Sequence, residues 1–160
     1  LKENLDDIIT VGDEELVVSF LDMVENHKMV VENSGLLTVA ALKHLDVKNK
    51  KVVAILSGGN MDVITMSSVV QQGLVLRDRI FSVSVLLPDK PGELSRVADV
   101  IAKQNGNVIK LEHNQFVSIN RNAEVELRIT MEAFGTEHKN QIISSLQQNG
   151  YQPKLIRASI

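Results

Sequence analysis

Two architectures in tandem are predicted for this 160-residue chain. Residues 1–76 are expected to form an α/β fragment, a partial parallel sheet with helices. Residues 77–160 are expected to form an α+β unit, a four-stranded antiparallel sheet with both helices on one face. Apolar runs alternate with helical stripes along the first half, an order that goes with parallel strands and crossover helices. The second half runs β-α-β-β-α-β, an order that folds into one antiparallel sheet. Arg77, Asp78 and Arg79 place a charged seam between the two halves.

In the first half, Asp7 to Val11 is a short β-branched run ending at Gly12. Asp13 is placed to cap the next helix, and Glu14 and Glu15 suit its first turn. Val17, Phe20, Leu21 and Val24 follow the i, i+3, i+4, i+7 spacing of a buried helix face. Asn33-Ser34-Gly35 makes a turn before a second apolar helix, Leu36 to Leu45. Lys51 to Leu56 is a continuous apolar run bounded by charge and glycine, the pattern of a strand buried on both faces. A third helix is expected over Asp62 to Gln72. Two such strands make a thin sheet, and some 75 residues of this kind are marginal alone. More chain is therefore expected before Leu1.

The second half is self-contained. Phe81, Val83, Val85 and Leu87 alternate with Ser82 and Ser84, as in a half-buried strand. Leu94, Val97, Ala98 and Ile101 form a helical stripe that closes at Asn105-Gly106, with Gly106 suited to the left-handed helix end. Asn107 to His113 is a second strand. Val125, Leu127, Ile129 and Met131 alternate with charged and polar residues, the cleanest period-two pattern in the chain. Ile142, Ile143 and Leu146 mark the second helix, ended by Asn149-Gly150, and Tyr151 to Ala158 the last strand.

Composition removes several function classes. Seventeen Lys plus Arg against 20 Asp plus Glu leave a net charge of −3, without the clustered positive charge that nucleic-acid binding needs. The absence of cysteine excludes disulfides, thiolate metal sites and cysteine nucleophiles. No uncharged stretch reaches the ~20 apolar residues that cross a bilayer, and no secretory leader is legible. A cytoplasmic protein with no membrane partner is expected. Aromatic residues make up 3%, so the core must be built from Val, Ile, Leu and Ala.

Two loops have the composition of binding sites. Ser57-Gly58-Gly59-Asn60 joins the expected strand to a helix, where backbone N–H groups and a hydroxyl gather at a sheet edge; the alternative is a plain tight turn. Pro88-Asp89-Lys90-Pro91-Gly92-Glu93-Leu94 joins a strand to a helix, with Gly92 permitting close approach and Asp89 able to accept from an ammonium group. Its alternative is a capped turn. Glu32 stands near a turn and suits a capping or surface carboxylate. Glu124, Glu126 and Glu132 share a strand face with Arg128 as its solvated side. His27, His44, His113 and His138 lie on four different elements without metal-ligand spacing, so no metal is expected. No phosphate-loop lysine, G-x-S-x-G or H-E-x-x-H motif occurs.

Taken together, these stretches resemble a known family. Asp6-Asp-Ile-Ile-Thr-Val-Gly-Asp-Glu-Glu-Leu16, Val31-Glu-Asn-Ser-Gly35, Val52-Val-Ala-Ile-Leu-Ser-Gly-Gly-Asn-Met-Asp62 and Gln72-Gly-Leu74 are similar to the end of the catalytic domain of threonine dehydratases (threonine ammonia-lyases), fold type II pyridoxal-phosphate enzymes. Leu87-Pro-Asp-Lys-Pro-Gly-Glu-Leu94 and Asn107-Val-Ile-Lys-Leu-Glu-His113 resemble an ACT domain, a ferredoxin-like amino-acid-sensing module. The resemblance implies a catalytic-domain portion over 1–76 and an ACT regulatory domain over 77–160.

By position, Ser57 resembles the serine that meets the cofactor's pyridine nitrogen. Gly58, Gly59 and Asn60 shape that wall, and Glu32 resembles a glutamate beside the cofactor. The small residues usual near that glutamate are replaced by Asn33 and Leu36. The family's cofactor-binding lysine and glycine-rich phosphate cup have no counterpart here. The resemblance therefore implies a C-terminal piece of a lyase that converts threonine to 2-oxobutanoate and ammonia, inactive by itself and not expected to retain pyridoxal phosphate, with no catalytic residue of its own. It also implies a homodimer through the ACT domains, within a possible tetramer of the parent enzyme. Isoleucine or valine would lie between Asp89, Gly92, Glu93 and Leu94 of one copy and Asn107, Val108 and Ile109 of another. The alternatives are a freestanding amino-acid-binding module and a dimerisation domain, neither with enzyme activity.

Overall fold

The computed structural model describes residues 4–114 and 124–158. The chain divides into two compact units, Leu1–Leu76 and Arg77–Ile160. The first is helical. Helix α1 spans Asp13–Asp22 and carries three acids, Asp13, Glu14 and Glu15, in its first turn, where the helix dipole favours negative charge. The cap is Gly12 rather than Asp13: the Gly12 N–H donates to Glu15 Oε2 at 2.8 Å, so the first-turn carboxylate reaches back to satisfy it. That bond, with the His44 ring 2.8 Å from the other Glu15 oxygen, holds the Glu15 carboxyl below its ordinary value.

Beyond α1 the chain makes a π-helical turn over Met23–His27 and leaves it at Lys28 in the left-handed region. The expected second helix is interrupted. A 3-10 turn at Asn33–Leu36 leads into α2, Leu37–Ala41, and a further 3-10 turn at Leu42–His44 follows. Helix α3 spans Val63–Leu76, and Asp62 Oδ1 accepts from the N–H groups of Ile64 and Thr65 at 3.0 and 2.9 Å. Val17, Phe20, Met23, Val31, Leu36 and Val69 form the core of this unit. Gly73 of α3 lies against α1 so closely that an added Cβ would come within 2.6 Å of Leu21 Cδ1.

The parallel sheet expected in the first unit does not form. Residues 7–11 and 51–56 carry no strand, and no strand occurs among the described residues up to Leu76. A strand buried on both faces needs a neighbour on each side to take its backbone groups, and none stands beside it among the described residues. Val53 is 89% exposed and Ile55 72%, the opposite of the burial their pattern called for. The segment is tied down instead by the Thr38 hydroxyl, which donates to the Ile55 carbonyl at 2.8 Å.

The second unit has the expected order of elements: β1 Ile80–Pro88, α4 Glu93–Lys103, β2 Asn107–Asn114, β3 Glu124–Glu132, α5 Thr136–Gln148 and β4 Lys154–Ile156. The strands form one sheet in the order β2-β3-β1-β4, and every neighbouring pair is antiparallel. Phe81, Val83, Val85 and Leu87 of β1 and Val125, Leu127, Ile129 and Met131 of β3 pack in one core with residues of both helices. The opposite face is polar. Ser82 and Thr130 hydroxyls meet at 2.7 Å, and Ser84 Oγ donates to Glu126 Oε1 at 2.6 Å.

Three details differ from the sequence reading. Helix α4 buries Val97, Val100 and Ile101, whereas Leu94 is 43% exposed, so the helix is rolled away from the expected stripe. At its end Asn105, not Gly106, takes the left-handed conformation, with φ 59°. Gly106 serves packing: a Cβ there would stand 2.7 Å from Ile101 Cγ2 and 3.1 Å from Ile142 Cδ1. Strand β4 is also shorter than the expected 151–158.

Two clusters of polar contacts anchor α5. Phe134 N–H donates to His138 Nδ1 at 3.0 Å, which leaves Nε2–H to donate to the Gln104 carbonyl, and the Phe134 and His138 rings stack with centroids 4.8 Å apart. Asp78 receives the Thr136 hydroxyl and the Lys139 ammonium, each at 2.7 Å. Partial burial pushes the Asp78 carboxyl up, but the bonds from Lys139 and Thr136 outweigh it and hold the group below its ordinary value.

A carboxylate with a depressed folded-state pKa stabilises the fold above its unfolded pKa of about 3.9 and stops doing so as pH falls through the folded value. Asp78→Ala should therefore cost about 1–2 kcal/mol at pH 7 and progressively less towards pH ~2. Urea melts of both proteins across that range check this; an equal loss throughout would assign the effect to packing.

Candidate functional site

The loop 57–60 is built around one carboxylate. Glu32 Oε2 accepts the Asn60 N–H at 3.1 Å and Glu32 Oε1 accepts the Ser34 hydroxyl at 2.6 Å. The Glu32 N–H in turn reaches the Gly58 carbonyl at 3.4 Å. Gly58 has φ +80°, and a Cβ on it would overlap the Glu32 carboxylate; both facts restrict the position to glycine. Met61 N–H closes the turn on the Gly59 carbonyl at 3.0 Å. Ser57, Gly58, Gly59 and Asn60 are exposed, and the Ser57 hydroxyl has no hydrogen-bond partner among the described residues. The loop thus presents one unengaged hydroxyl on a backbone held from beneath.

The structure brings Glu32 to this loop although 28 positions separate it from Asn60. Sequence reasoning missed two supports. Gly35 packs so closely under the loop that an added Cβ would overlap the Ser57 carbonyl, and Thr38 holds Ile55 just upstream. The only trace of them was the Asn33-Ser34-Gly35 turn, which gives no indication of what it will meet.

The second candidate loop follows β1. Lys90 N–H donates to the Pro88 carbonyl at 2.8 Å and Arg96 N–H to the Gly92 carbonyl at 3.1 Å, so the loop folds back and opens α4. Gly92 caps α4 with φ +90°, and a Cβ there would meet nothing within 4 Å. Glu93 is engaged by Arg96 at 3.0 Å, while the Asp89 side chain is exposed with no partner among the described residues.

Asn107, Val108 and Ile109 lie at the other end of the sheet. Asn107 donates to Glu132 Oε2 at 2.7 Å, Val108 packs on the core, and Ile109, 42% exposed, sits where the β2 register shifts. Ile80 and Asn107 both pair with Glu132, whereas Pro88 pairs with Glu124. At ~3.4 Å per residue the two candidate sets are therefore roughly 25 Å apart within one chain. One copy does not bring them together.

Among the described residues no group of His, Asp or Glu could hold a metal ion. No described helix is long and apolar enough to cross a membrane.

The L-threonine ammonia-lyase of Geobacter sulfurreducens is 35% identical over 153 residues, 94% of this chain. The chain is homologous to threonine ammonia-lyases. The L-threonine ammonia-lyase of Thermotoga maritima is 30% identical over 157 residues, 98% of the chain. The biosynthetic L-threonine dehydratase IlvA of Pasteurella multocida is 28% identical over 156 residues. The chain spans only 38%, 39% and 29% of the length of these three relatives. No family model matches the sequence.

If Glu32 and Gly35 support the loop as described, Gly35→Ala must displace it. Amide hydrogen exchange at residues 57–60 should then quicken by about tenfold or more, with exchange in β1 and β3 unchanged. Glu32→Gln, which keeps an acceptor but loses the charge, should produce a smaller acceleration centred on Asn60. An unaltered exchange pattern in both variants would refute the support.

Proposed function

We propose that this chain serves a pyridoxal-phosphate-dependent threonine ammonia-lyase, with residues 1–76 forming one wall of the cofactor site and residues 77–160 an ACT-type domain that senses an amino acid. The observation that carries this reading is similarity through both units at once, 98% of the chain with the T. maritima enzyme. The residues present fit one wall of such a site. The unengaged Ser57 hydroxyl can meet a ring nitrogen, and the Gly58-Gly59 backbone, free of side chains, lets a flat ring approach. Asn60 is held in place by Glu32.

When bound, the cofactor supplies the electron sink that permits loss of the α-proton and the β-hydroxyl from threonine. Ser57 offers a neutral hydroxyl where a carboxylate would hold the ring nitrogen protonated, which suits elimination over reactions that need a stronger sink. No lysine forms a hydrogen bond or ion pair with this loop among the described residues, and the cofactor-binding lysine and the phosphate cup would come from elsewhere in the enzyme. The chain alone is accordingly inactive in this reading, and its setting is the cytoplasm.

In the second unit, Asp89 would accept from the ammonium group of isoleucine or valine, and amides from Gly92 to Leu94, at the start of α4, would meet its carboxylate. Asn107, Val108 and Ile109 would come from a second copy, because within one chain they lie at the far end of the sheet. A ligand held between copies stabilises one quaternary arrangement over another, which is the requirement for allosteric control.

A thermal-shift series with isoleucine, valine, threonine and serine tests the sensing half. At 100 times its dissociation constant, a ligand adds ~2.7 kcal/mol, a rise of roughly 5–10 °C for a chain of this size. The rise should appear with a branched-chain amino acid and vanish in Gly92→Val, because valine resists φ +90°. No rise with any of the four would overturn the sensing role.

A further inference from the structure

On the face of the sheet turned away from α4 and α5, one row of side chains crosses three strands. Lys110 of β2 stands opposite Thr130 of β3, and Thr130 opposite Ser82 of β1. Side chains paired in this way share a face, with Cβ atoms ~5 Å apart. Arg128 is two positions along β3, hence on the same face and ~7 Å from Thr130. These four residues, with Glu112 and Arg157, line a cavity of about 120 Å³. That is well below the ~300–1,000 Å³ of drug-sized ligand sites, so the space suits a small ion.

The floor of this cavity has a proton to give. Ser82 is 2% exposed and Thr130 5%, and their hydroxyls meet at 2.7 Å. Each hydroxyl carries one proton, and the bond between them uses only one of the two. The other has no acceptor among the described residues, and a buried donor without an acceptor costs free energy. The walls supply further donors. Arg157 is exposed and forms no hydrogen bond or ion pair among the described residues. Arg128 gives its Nε to Glu126 at 3.1 Å, and a guanidinium has two more nitrogens to donate from. The one carboxylate lining the cavity, Glu112, is offset by Lys110 at 3.0 Å. A spare O–H below and guanidinium groups beside it call for an acceptor-rich anion, because the guanidinium fork fits oxyanions. A cation would face the arginines, and an apolar molecule would leave the O–H unpaired.

We propose that this cavity binds a tetrahedral oxyanion, a phosphate or sulfate group. Arg157 and Arg128 donate to its oxygens, the Ser82–Thr130 pair gives its spare proton, and Lys110 keeps Glu112 neutralised. The site is built within one copy of the chain, and it does not rest on the amino-acid sensing proposed for the loop after β1.

The test is a titration of the ¹⁵N-labelled full chain with inorganic phosphate, read by amide NMR shifts at Ser82, Thr130 and Arg157. Ionic strength is held constant, because screening alone moves exposed charges. Saturable shifts at all three amides are expected below roughly 10 mM phosphate. Arg157→Gln should weaken this binding about tenfold, as loss of a charge-assisted bond does. Ser82→Ala frees the Thr130 proton and should bind about as tightly as wild type. Ser82→Ala combined with Thr130→Val leaves no hydroxyl and should weaken binding about tenfold or more. Dispersed spectra verify that the variants are folded, and Arg157→Gln decides alone should the double variant unfold. Phenyl phosphate separates the sources of the ion. Saturable shifts with it as well would assign the site to a phosphoryl group on a larger molecule, and shifts with inorganic phosphate alone to the free ion. Absent or non-saturating shifts with both would overturn the site, as would binding that Arg157→Gln leaves unweakened.

Discussion

Because β1 and β3 pair residue for residue from Ile80 opposite Glu132 to Pro88 opposite Glu124, the two faces of the second unit are decided together. Side chains alternate strictly along a strand, so one register sends Phe81, Val83, Val85 and Leu87 to the same side as Val125, Leu127, Ile129 and Met131. A slip of one residue would turn every one of these to water. Both helices are then obliged to cover that side, and β2 and β4 can only add at the edges. Ser82, Ser84, Thr130, Glu126 and Arg128 are left on the uncovered face, where hydroxyl and carboxylate pair locally.

The first unit is organised differently. Its core of Phe20, Leu36 and their neighbours is helical, and its candidate site is a loop that no sheet supports. Glu32 stands in for the missing ladder: one carboxylate takes a hydroxyl and a backbone N–H, and its own N–H reaches the loop carbonyl. Gly35 and Gly58 are the steric counterpart, each lying where a side chain would occupy space already filled by Ser57 or Glu32. A loop held this way keeps its outer surface free, which leaves the Ser57 hydroxyl available to a ligand.

Homology to threonine ammonia-lyases gives these features a context without assigning them. Similarity covers both units, yet the chain accounts for well under half of its relatives' length. Asp89 and Asn107 lie at opposite ends of one sheet, too far apart to form a single small site within one copy.

Period-two alternation and glycine-terminated helices made the second unit legible from its residues, because both patterns are local and the sheet they describe is complete within the chain. Helix α1 was legible for the same reason. The run from Lys51 to Leu56 misled, since apolar content reports what a segment could bury and not whether strands stand ready beside it. Ser57 to Asn60 was recognisable as a loop, and the resemblance pointed to Glu32, but what Glu32 touches was not readable. Its contacts cross some 28 positions, and no periodicity links a turn to a distant loop. The roles of Gly35 and Gly106 were hidden likewise, because a glycine needed for close approach looks the same in a sequence as one needed for a turn. Local order in α1 and the second unit was therefore determined by the sequence alone, while the long-range packing that makes a site was decided only by the tertiary fold.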